Sequence, residues 1–67
     1  MEPSEIWERI VKADERLKYA REDQADLRNA QAEAFLREAL AAAREIGNSR
    51  LEEQALTRLR DLGIDDA

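Results

Sequence analysis

The chain has 67 residues, enough for one domain, of which 40% are charged and 43% hydrophobic. Only two glycines and one proline occur, with no cysteine or histidine, so the composition excludes disulfide scaffolds and low-complexity sequence and favours helices. The net charge of −5 opposes nucleic-acid binding, and no apolar run is long enough for a membrane span or a signal peptide.

The first predicted helix covers about residues 4–20. Either Pro3 occupies its first position or Ser4 caps it. Apolar residues then alternate at spacings of four and three, which is typical of one helix face. They are Ile6, Ile10, Ala13, Leu17 and Ala20.

The polar stretch over residues 21–26 decides whether this helix ends. Arg21, Gln24 and Arg28 stand where the apolar face would continue. A single helix over residues 4–46 is the alternative, because no glycine or proline interrupts the chain there and the two apolar faces are nearly in phase. We prefer a break, since such a helix would far exceed the average length in globular proteins.

The second predicted helix covers about residues 26–46. Its apolar face repeats the alternating spacing with Ala32, Leu36, Ala39, Ala43 and Ile46. Further alanines surround this helix on nearly all sides. Because small residues let neighbouring helices approach closely, we expect it to lie between the other two.

The third predicted helix, about residues 49–62, has clear signals at both ends. Gly47 suits the left-handed conformation that ends the preceding helix, and Ser49 with Glu52 matches a capping box. Gly63 is placed to end the third helix in the same way. The short turn predicts an antiparallel helical hairpin. We therefore predict an all-α fold, with a single domain over residues 1–67 formed by a three-helix bundle with short turns.

The charged residues are spread along the chain. Acids often precede bases by four positions, as in Asp14/Lys18 and Glu33/Arg37, an arrangement that supports helices by a few tenths of a kcal/mol. This pattern predicts a solvated helix surface without a basic patch for nucleic acid.

Catalysis finds little support in the sequence. Without histidine or cysteine no common nucleophile–base pair can form, and Ser4 and Ser49 are better explained as helix caps. The acidic cluster Asp61, Asp65 and Asp66 lacks the spacing of a calcium-binding loop. We therefore predict no enzyme activity, no catalytic residue, no metal site and no cofactor.

Three apolar residues lie off the main helix faces: Trp7, Val11 and Leu56. Trp7 is about 90° from the centre of the first face, with Val11 one turn further on. Trp7 either widens that face, so that the first helix contacts both others, or anchors a partner chain, since aromatic residues dominate interface energetics. Leu56 is about 100° from the face of the third helix, where a lone surface leucine is also ordinary. We take these three residues as the candidate protein interface.

The sequence ALAAAREIGN at residues 39–48, followed by Leu51, Ala55, Leu56, Leu59 and Gly63, resembles tetratricopeptide-type repeats. It is most similar to the variant found in bacterial regulators. The resemblance covers about residues 16–63, or one and a half repeats. It implies packing of the tetratricopeptide type and a role in protein–protein scaffolding.

Together these observations predict a non-catalytic protein–protein interaction module built from antiparallel helices. A self-associating structural helical protein, natural or designed and without an external ligand, is the alternative. A chain of this size forms only a small core and commonly needs a disulfide, a metal or a partner. We therefore expect a homodimer or higher oligomer in the cytoplasm, with no nucleic-acid or membrane partner.

Overall fold

The computed structural model describes residues 1–19 and 21–64. These described residues form three helices without any strand: α1 (Pro3–Lys18), α2 (Ala25–Glu45) and α3 (Ser49–Asp61), with a short 3₁₀ turn (Glu22–Gln24) between α1 and α2. The predicted all-α fold class is confirmed. Ala20, placed in the first predicted helix, and Asp65 and Asp66 of the acidic cluster lie outside the described residues.

The chain breaks between α1 and α2, so the alternative of one long helix is wrong. Tyr19 is the C-terminal cap of α1, and Arg21 has an extended backbone with φ −91° and ψ 155°. Arg21 and Gln24 are both exposed. A continuous helix would have turned these polar side chains toward the core, which explains why the chain leaves the helix here.

The first turn of α1 settles the choice between Pro3 and Ser4. Pro3 occupies the first helical position, where its missing N–H costs nothing, and Glu2 is the N-cap. The amide N–H of Glu2 donates to Oε1 of Glu5 at 3.2 Å. Ser4 is therefore a residue of the helix itself, and its assignment as a cap is wrong.

Both α2 and α3 end at a glycine in the left-handed conformation, as predicted. The φ angles are 70° at Gly47 and 85° at Gly63. The amide N–H of the residue after each glycine donates to the carbonyl oxygen five residues earlier, at 2.9 Å after Gly47 and 3.0 Å after Gly63. This hydrogen bond defines the Schellman motif and satisfies carbonyl groups that the helix leaves free.

The N-cap of α3 is Asn48, so the predicted capping box at Ser49 is wrong. Oδ1 of Asn48 accepts a hydrogen bond from the amide N–H of Leu51 at 3.1 Å, and Ser49 is already helical. The carboxylate of Glu52 accepts from Nε of Arg44 at 3.2 Å instead. Asparagine caps helices as well as serine does. With Asn48 as the cap, α3 begins at Ser49, one residue earlier than it would with Ser49 as the cap.

The helix α2 lies at the centre of the molecule. It packs extensively against both α1 and α3, whereas α1 and α3 contact each other little. The Cα atoms extend over 37 × 23 × 13 Å, which makes the molecule flat. The buried core consists of Ile6, Ile10, Ala13, Ala32, Leu36, Ala39, Leu40, Ala42, Ala43, Leu51, Ala55 and Leu59. The alanines of α2 allow this close packing on two sides, in agreement with the expected central position of this helix.

Candidate protein interface

Trp7 lies on the side of α1 that faces α3. Its side chain is 45% exposed, although it is the largest apolar side chain of the protein. The guanidinium carbon of Arg58 lies 5.8 Å from the centroid of the ring, within the range of a cation–π interaction. The indole therefore contacts α3 through Arg58, and a little less than half of the residue's surface remains open to solvent.

Arg58 itself is fixed by hydrogen bonds from two helices. Its Nε donates to both carboxylate oxygens of Asp14 on α1, at 2.8 and 3.1 Å. Its Nη1 donates to the backbone carbonyl of Gln54 at 3.0 Å and to the side-chain oxygen of the same residue at 2.8 Å. Charge-assisted hydrogen bonds of this kind hold a guanidinium in one orientation. Arg58 thus links α1 to α3 and positions the indole ring.

Val11 lies one turn after Trp7 on α1 and is half-buried. Because residues four apart are neighbours on a helix surface, Val11 extends the apolar area that begins at the indole ring. We call the surface formed by Trp7, Val11, Asp14 and Arg58 the Trp7 face. It combines an aromatic ring, an aliphatic side chain and an ion pair on two helices.

Leu56 is not part of the Trp7 face. It is partly buried and packs against the hydrophobic core. Since it precedes Arg58 by two residues, it points about 160° away from Arg58 around α3. Of the three candidate interface residues, the structure brings Trp7 and Val11 together and places Leu56 elsewhere.

A second feature lies between α1 and α2. A groove of about 220 Å³ is lined by Arg16, Gln31, Ala34, Phe35 and Glu38, and we call it the α1–α2 groove. Oε1 of Gln31 is buried and has no hydrogen-bond donor within the described part of the chain. Beside the groove, Nε of Arg9 donates to Oε1 of Glu38 at 3.1 Å and ties the two helices together. The groove therefore combines the apolar side chains of Ala34 and Phe35 with the charged side chains of Arg16 and Glu38.

Sequence reasoning missed both Arg58 and Gln31. The Asp14–Arg58 contact joins residues 44 positions apart, so no local sequence pattern predicts it. Gln31 looks like any polar helix residue, and the sequence does not indicate that its amide oxygen is buried.

Within residues 1–19 and 21–64, no group of three or more acidic, histidine or cysteine side chains is placed to hold a metal ion. In the same residues no helix is both long and apolar enough to cross a membrane. The Trp7 face and the α1–α2 groove both offer specific contacts to a ligand.

Comparison with known proteins found no matching family model, no matching curated protein and no matching solved structure. The resemblance to tetratricopeptide-type repeats stays a prediction. The functional argument therefore depends on the geometry of the two surfaces.

Proposed function

We propose that this chain is a non-catalytic protein–protein interaction module built from antiparallel helices, and that the Trp7 face is its docking surface. The observation that carries this proposal is the half-exposed indole of Trp7, held beneath the guanidinium of Arg58. Tryptophan and arginine are enriched among the residues that contribute most to binding energy at protein interfaces. Here the two are adjacent.

The Arg58 side chain of the Trp7 face is already held in one orientation in the free chain. Hydrogen bonds to Asp14 and Gln54 already fix Arg58. Ordering a flexible side chain on binding costs about 0.5–1.5 kcal/mol. Because that ordering is complete in the free chain, an incoming protein gains the contacts of Trp7 and Arg58 at a smaller entropic cost.

The partner that we propose is a second copy of this chain, so that the protein is a homodimer or a higher oligomer. A core of this size supplies a small stabilisation, and half of the largest apolar side chain lies outside it. Covering Trp7 with another copy would bury that ring and add to the stability of both copies. The melting temperature would then rise with protein concentration by mass action.

Sedimentation velocity and tryptophan fluorescence across a hundredfold concentration range would test this proposal. Because Trp7 is the protein's one tryptophan, its emission reports directly on this surface. We expect the mass to rise with concentration and the emission to shift to shorter wavelength as the ring is buried.

A Trp7→Glu variant provides the matching loss of function. We expect it to stay monomeric, because the variant replaces the apolar ring by a carboxylate that association would have to remove from water. The control is Tyr19→Glu, which changes an exposed aromatic residue away from the Trp7 face and should associate like the wild type. A wild-type chain that stays monomeric at the highest concentration, with unchanged emission and a constant melting temperature, would reject self-association.

A further inference from the structure

We draw no further inference here: the strongest candidate, the α1–α2 groove in which Ala34 and Phe35 lie between Arg16 and Glu38, carries nothing because nothing in the described part of the chain shows what covers it.

Discussion

Arg58 and Asp14 form an ion pair that joins the two outer helices. Nε of Arg58 donates to both carboxylate oxygens of Asp14, at 2.8 and 3.1 Å, across 44 residues of sequence. The outer helices otherwise contact each other little. Each outer helix packs mainly on α2, and the ion pair links the two outer helices directly.

The first prediction concerns this ion pair. Arg58→Ala should lower the free energy of unfolding by about 1 kcal/mol, because the pair is partly exposed and solvent weakens its attraction. Urea denaturation would measure the change. The control is Arg60→Ala, since Arg60 lies 3.9 Å from Glu53 and both side chains are largely exposed. We expect almost no effect there, and equal losses for the two variants would contradict a special role for Arg58.

The second prediction concerns the start of α3. Asn48→Ala should cost about 0.5–2 kcal/mol, because the amide N–H of Leu51 loses its acceptor. Ser49→Ala should cost little, since Ser49 is the first helical residue of α3 and not its cap, and alanine has the higher helix propensity. Thermal melts of the two variants decide between the neighbouring caps. A larger loss of stability for Ser49→Ala than for Asn48→Ala would show that Ser49 is the cap, as the capping-box pattern predicts.

The turn between α2 and α3 shows what the sequence could and could not predict. Gly47 marks the end of α2 because few other residues adopt a positive φ without strain. The start of α3 is less determined, because Asn48 and Ser49 are both good caps. The choice depends on how soon the chain can turn after Gly47, which is a property of the packed hairpin.

The charged residues show the same division between local and distant contacts. The spacing of Glu33 and Arg37 predicts their ion pair, which the structure shows at 2.8 Å. The same spacing would pair Asp14 with Lys18, yet Asp14 bonds to Arg58 instead. A contact between α1 and α3 depends on how both helices lie against α2, and spacing along one helix does not contain that information. The α1–α2 groove escaped prediction for this reason too.

The third prediction concerns Gly47. Among the described residues, no atom outside Gly47 and its two chain neighbours lies within 4 Å of the position that a Cβ atom would take there, so the cost of Gly47→Ala comes from its φ angle of 70°. We expect a loss of about 1–2 kcal/mol in the free energy of unfolding. Gly47→Asn should cost clearly less, because asparagine adopts this conformation more readily. Equal losses for the two variants in urea denaturation would indicate that the cost is not conformational.

The last prediction compares two leucines on α2. Leu36 is fully buried, whereas Leu27 is 58% exposed on the same helix. Leu36→Ala should cost about 2–5 kcal/mol, because it removes buried apolar contacts and leaves a cavity between helices. That is a large part of the total stability of a small domain, so the helical signal should fall markedly at 25 °C. Leu27→Ala removes the same atoms from a solvated position and should leave the melting temperature nearly unchanged. Circular dichroism melts of both variants at one protein concentration test the pair, and a Leu27 variant as unstable as the Leu36 variant would show that α2 is also covered on its outer side.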